Sequence, residues 1–176
     1  MVRAGLAAAA VLSISLGGLL PASAAELPIR RPGLWEIKIK LTGGAAPTAM
    51  MHHCTDESTD RQMSTMFNPL APHHCPKSDI QKHAEHYTID AVCRIDNKTF
   101  AVHADVTGDF QTSYTVAAEK KIQDEPDSAP VVSNVTLEGR FVGACKPDQK
   151  PGDVMMAGGM KINIKEMEGF KNLRKQ

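Results

Sequence analysis

The sequence predicts a mainly β fold: a curved antiparallel meander or partly open barrel with one short helix and two disulfides. Two observations carry the sheet. Short runs with apolar residues at every second position recur at roughly ten-residue spacing, which marks strands with one buried face. Turn chemistry (Gly43-Gly44, Asn68-Pro69, Gly108-Asp109 and the polar loop Gln123–Pro130) separates the runs. A third observation, the even count of four cysteines (Cys54, Cys75, Cys93 and Cys145), predicts the bridges.

The first strand is read in "PGLWEIKIKL", where Trp35, Ile37, Ile39 and Leu41 alternate with Leu34, Glu36, Lys38 and Lys40. The first set is expected to face the core, with Trp35 packed in it and Gly33 shaping the entry. Thr48 to Thr55 reads as a second strand. "TDESTDRQMSTMF" carries a Thr or Asp cap, early acids, and Met63, Met66 and Phe67 at helical spacing, which predicts a short helix. Lys77–Lys82 and Tyr87–Arg94 read as a hairpin around "HAEH". In "KTFAVHADVTGDF" the residues Phe100, Val102, Ala104 and Val106 share one face. "FQTSYTVAAEKKI" and "VVSNVTLEGRFVGAC" complete the set, the last with a glycine-marked bend near Gly139. Each strand has one apolar face, so the sheet must curl or be covered.

Four cysteines allow three pairings. A hairpin centred on Ala84 sets Cys75 opposite Cys93, a separation that suits a disulfide. Cys54 then pairs with Cys145 by elimination.

The N-terminus bears on compartment. Arg3 precedes an apolar stretch from Ala4 to Leu20, followed by Pro21 and the small residues Ala22-Ser23-Ala24. This is the pattern of a cleaved secretory signal peptide over residues 1–24, with cleavage between Ala24 and Ala25. A membrane anchor is the competing reading, but the apolar stretch is short and ends at the cleavage pattern. Removing 24 of 176 residues leaves 152, one domain in length. Residues 25–146 are expected to form a single β-rich domain in the periplasm. No later stretch is long and apolar enough to span a bilayer. Residues 147–176 read as a flexible or partly helical tail, with Ile164, Met167 and Phe170 approximating one helical face.

Charge excludes a further class. Twenty basic residues balance twenty acidic ones, and aromatics are scarce, so no global field or stacking platform for nucleic acid is present.

"PGLWEI" after a signal-like start, a cysteine ending the second strand, a two-cysteine hairpin and the closing "GRFVGAC" together resemble DUF3617, a bacterial exported family of unknown function. The resemblance covers roughly Arg31 to Lys146, with Pro32 to Glu36 matching the family's opening and Gly143 to Cys145 its close. It implies a small exported cysteine-bridged domain and carries over no catalytic residues. The paired histidines, Met50-Met51 and the tail after Cys145 depart from its pattern.

Two His-His-Cys triplets, "MMHHC" and "HHC" at His73 to Cys75, raise the possibility of a copper or zinc site, because thiolate, imidazole and thioether suit soft metals. If the cysteines are oxidised, the donors left are His52, His53, His73, His74, Met50 and Met51. Surface histidines flanking structural cysteines are the plainer expectation. His83 and His86 of "HAEH" read as solvated turn residues. His103 with Asp105 and Asp109 reads as the wet side of a strand rather than an acid–base group, and no nucleophile motif is present. The leading expectation is a non-enzymatic domain, without a cofactor, that binds a small or apolar ligand or an envelope partner. A periplasmic copper- or zinc-binding protein is the alternative.

Overall fold

The computed structural model describes residues 25–42, 48–66, 75–95, 98–122 and 130–166. Within them lie β1 (Gly33–Thr42), β2 (Ala49–Thr55), α1 (Glu57–Met66), β3 (Lys77–Lys82), β4 (His86–Ile95), β5 (Lys98–Gly108), β6 (Ser113–Ile122), β7 (Val131–Gly143), β8 (Asp153–Met156) and β9 (Lys161–Asn163). The strands form one open antiparallel sheet in the order β3-β4-β5-β6-β7-β1-β2-β8-β9. Strands β3 to β7 are a meander. β1 lies between β7 and its sequence neighbour β2 and pairs with both, and β8 and β9 extend the sheet beyond β2.

Both disulfides form as expected, Cys54–Cys145 and Cys75–Cys93, and no described cysteine is free. The link from β7 to β8 must pass the ends of β1 and β2. Cys145 fixes it to the end of β2, and the Gly152 N–H donates to the Cys54 carbonyl at 2.8 Å. On chain-entropy reasoning this long closure contributes about 4–5 kcal/mol and the shorter bridge about 3 kcal/mol.

Three details differ from the sequence reading. The β3–β4 hairpin is offset by one residue: Lys77 faces Val92 and Ile80 faces Ile89, and the His83 N–H to His86 carbonyl bond closes a turn on Ala84-Glu85. This register sets two apolar residues together on one face, whereas the turn centred on Ala84 would have opposed Ile80 to Thr88. Cys75 leaves the ladder before Pro76, which has no N–H to donate, and reaches Cys93 from outside it.

Gly139 does not mark a bend. The β1–β7 irregularity falls between Leu34 and Trp35, opposite the end of β7, and it lets Leu34 be buried beside Trp35. Gly139 serves packing instead: a Cβ there would sit 2.1 Å from the Tyr114 ring.

The tail is the third difference. Residues 153–163 are β8 and β9 of the same sheet, so the domain runs past Lys146. Ile164 begins a helical turn and is wholly buried against Met63 and Val154. The signal-peptide reading of residues 1–24, His73, His74 and the tail's last residues, 167–176, lie outside the described residues.

Candidate functional site

Strand alternation sorts the side chains onto two faces, and the ladder registers align them in rows. One face carries Trp35 and Ile37 of β1, Met51 and His53 of β2, Leu137 of β7, Val116 of β6, Val106 of β5 and Ile89 of β4. The other carries Glu36, Lys38, Arg140, Glu138, Glu119, His103 and Asp90. Its charges close in cross-strand or neighbouring pairs: Lys40–Glu138 at 2.7 Å, Arg140–Glu36 at 3.1 Å, Lys121–Glu119 at 2.7 Å and His103–Asp90 at 2.8 Å. Asp90's hydrogen bond holds the His103 pKa above its ordinary value.

One end of the apolar face is filled. Trp35 is fully buried, its Nε1–H donates to the Arg31 carbonyl at 2.8 Å, and its ring meets those of Tyr114 and Phe141 at 5.6 and 5.7 Å. Gly33 is needed beside it. Its φ is +137°, and a Cβ would lie 2.5 Å from the Gly143 carbonyl oxygen.

The segment before β1 lies over this end. Leu27 packs on the Ile89, Ala104, Val106 and Phe110 cluster, and the Arg31 N–H donates to the Phe110 carbonyl. Helix α1 covers β2 and β8 through Met63. A reciprocal cap starts the helix: Asp56 Oδ1 accepts from the Thr59 N–H at 2.7 Å, and Thr59 Oγ1 accepts from the Asp56 N–H at 2.9 Å. The Thr59 amide bond holds the Asp56 carboxyl below its usual range.

A buried polar cluster joins these pieces. The Arg30 Nε–H donates to Asp60 Oδ1 at 2.7 Å, its Nη2 lies 2.6 Å from the same oxygen, and its backbone N–H reaches Oδ2 at 2.8 Å. The guanidinium also stands 3.5 Å from His53 Nδ1 and from the Tyr114 hydroxyl, and 5.7 Å from the Trp35 ring centroid. Because Arg30 can only donate, His53 Nδ1 accepts and the proton sits on Nε2. Nε2 is shut off from solvent with no partner among the described residues. Burial first, then the positive charge of Arg30, lowers the His53 pKa to about 3.

The proposed metal donors are therefore divided. Met51 and His53 point to the apolar face, with His53 beside a guanidinium, while Met50 and His52 point to the polar face, where His52 lies 3.7 Å from Glu36. Successive strand residues must diverge in this way. Among the described residues no group of three or more His, Cys, Asp or Glu side chains is arranged to hold a metal ion. His83 and His86 stack on one another at 4.4 Å on the exposed hairpin tip. Asp109 serves its own turn, accepting from the amides of Gln111, Thr112 and Ser113.

Away from the Trp35 end, the apolar face is open. Two rows cross β1, β7 and β6: Ile39, Leu137 and Val116, then Leu41, Val135 and Ala118. Five of these six are half-buried, and Leu41 is 46% exposed. Farther along, Val131 is 59% exposed opposite Ile122. Toward Trp35 on β1, Ile37 is 1% exposed, and on β5 the same two rows end in Val106 and Ala104, 0% and 1% exposed. The polar face carries a shallow groove of ≈ 550 Å³, lined by Asp79, Asp90, His103, Glu119 and Lys121 among others.

Sequence reasoning missed Arg30, Asp60 and Tyr114. Asp60 looks like one more early helix acid, and nothing in the alternation says that Tyr114 lies on Gly139. Arg30 directly precedes "RPGLWE", and that adjacency was the one signal that could have drawn attention to it.

No helix of the described residues is long and apolar enough to cross a membrane. No curated protein and no solved structure matches the chain. A family model does match, over residues 30–145, which begins at the buried Arg30 and ends at the bridged Cys145. By that match the chain belongs to DUF3617, a family of proteins of unknown function.

Proposed function

We propose that the protein is an exported, non-catalytic binding domain of the periplasm whose open apolar face takes the hydrocarbon chain of a small ligand. The observation that carries this is the contiguous half-covered patch Ile39, Leu41, Val116, Ala118, Val135 and Leu137. Fully burying a Val, Leu or Ile side chain is worth about 1.5–3 kcal/mol over leaving it exposed, and a chain laid across these half-buried rows would recover the uncovered part of it. Export is supported by the signal-like N-terminus and by the use of all four cysteines in bridges, which suits an oxidising compartment. A binding rather than catalytic role is supported by the placement of exposed His103 and Asp90 and half-buried Glu119 as cross-strand neighbours on the opposite face.

Titration with a neutral fluorescent acyl probe, an NBD-labelled dodecyl amide, tests the reading. Wild type should bind saturably, and Leu137→Asp should weaken binding by more than about tenfold, since the chain would have to desolvate a carboxylate. Leu137 is half-buried at present, so the variant can fold, which circular dichroism checks. Absence of saturable binding to wild type, or an unchanged affinity in a folded L137D, overturns the proposal.

A further inference from the structure

The carboxylates of the described strands all lie on one face of the sheet. Glu36, Asp79, Asp90, Asp105, Glu119 and Glu138 all fall on the polar face by register. Among the described strand residues, the apolar face carries no carboxylate, and its formal charges are Lys82, Lys98 and Lys120. Lys82 stands at the free edge and Lys98 at the start of β5. Lys120 stands beside the open patch, one row beyond Ala118 and directly opposite Ser133.

An ammonium on an apolar face must keep its head near water or find a partner. Lys120 has no carboxylate partner among the described residues, and its Nζ lies 4.7 Å from the Phe100 ring centroid. A cation–π contact leaves the ammonium free to receive an anion from solvent. Ser133, half-buried across the ladder, adds a hydroxyl donor at the same row. From Lys120 back to Val116 is four residues of strand, about 14 Å of half-covered apolar surface at a rise of ~3.4 Å per residue.

We infer that the face selects an anionic amphiphile, a monomeric chain with a carboxylate or phosphate head, that seats its head at Lys120 and Ser133 and lays its chain over Ala118, Val135, Leu137 and Val116. This rests on the apolar-chain reading above and adds the head group. The charge complementarity favours it: among the described strand residues of this face an anion meets a cation and no carboxylate, whereas a cationic head finds no opposite charge there.

The test displaces the neutral acyl probe with three dodecyl compounds below their micellar concentrations: dodecyl phosphate, dodecyl maltoside and dodecyltrimethylammonium. Wild type should prefer the phosphate over the maltoside by about tenfold, the worth of one charge-assisted hydrogen bond. Lys120→Met should remove that preference, and Lys120→Glu should turn it toward the ammonium. Lys121→Glu, on the other face, should leave it unchanged. Equal displacement by all three heads overturns the head-group inference while the chain reading stands. Failure of the neutral probe itself to bind overturns both. Binding to anionic vesicles without binding to monomeric dodecyl phosphate also overturns it, in favour of a bilayer surface.

Discussion

Arg30 and Asp60 form a buried ion pair, 2.6 Å at its closest, that ties the approach to β1 to the helix following β2. Both residues are under 10% exposed, and both oxygens of the carboxylate are used. Removing one partner strands the other charge in the interior. Asp60→Asn should therefore destabilise the fold by about 3–5 kcal/mol in urea unfolding. The double variant R30M/D60L, which strands neither charge, should lose less than D60N alone. A cost for D60N below about 1 kcal/mol would show the pair to be solvated.

His53 predicts a pH dependence. Its folded pKa, about 3, lies below the ordinary value of 6.5, so the unfolded chain takes up a proton that the folded one refuses. Stability is then fully present above pH 6.5 and falls as pH drops toward 3, by up to about 1.4 kcal/mol per pH unit. His53→Leu should abolish this slope in urea midpoints measured from pH 7 to 5, a range above most carboxylate titration. The raised pKa of His103 acts with the opposite sign, contributing stability at low pH that is lost as pH rises. It is exposed and screened, and comparing wild type with H53L cancels it. Equal slopes in the two proteins would contradict the burial of His53.

Gly139→Ala asks whether the Tyr114 ring needs the bare backbone beneath it. The added methyl would overlap the ring and force it off Trp35, at a cost of about 1–3 kcal/mol. The check is a fall in melting temperature together with a change in the near-ultraviolet dichroism of the lone tryptophan. Ala at Gly143, where a Cβ meets no atom within 4 Å but φ is +136°, should lower the melting temperature through backbone strain while leaving that dichroism in place.

The two bridges should differ in worth. Cys54→Ala/Cys145→Ala opens a closure of 91 residues and should cost about 4–5 kcal/mol. Cys75→Ala/Cys93→Ala opens one of 18 and should cost about 3 kcal/mol. Urea unfolding of each pair against wild type gives the ranking, and a reversed order would show that the β7–β8 link is held mainly by the sheet.

The β1 core face, the β5 face and the helix over residues 57–66 were legible because each rests on local periodicity. Trp35, Ile37, Ala104 and Val106 alternate as read and are buried. Both disulfides were also reached, although the hairpin register behind the first was off by one residue. Ladder register depends on which apolar residues meet across strands, and Ile80 with Ile89 decided it. The placement of β1 between β7 and β2 was not legible, since it is a long-range pairing with no local signature. Nor were β8 and β9: "DVMM" and "KIN" are too short to show alternation, and glycine and proline around them read as linker. The division of Met50 and His52 from Met51 and His53 was not legible in "MMHH" at first sight, because neighbours in sequence on a strand fall on opposite faces.

The most direct test of the central claim is where a chain lands. Photo-crosslinking with a diazirine-bearing dodecyl phosphate, followed by peptide mapping, should place the label on Ile39, Leu41, Val116, Ala118, Val135 and Leu137, with excess dodecyl phosphate suppressing it. Label concentrated instead in the polar groove around Asp90, His103 and Lys121, or spread over both faces and not competed, would contradict a binding role for the apolar face.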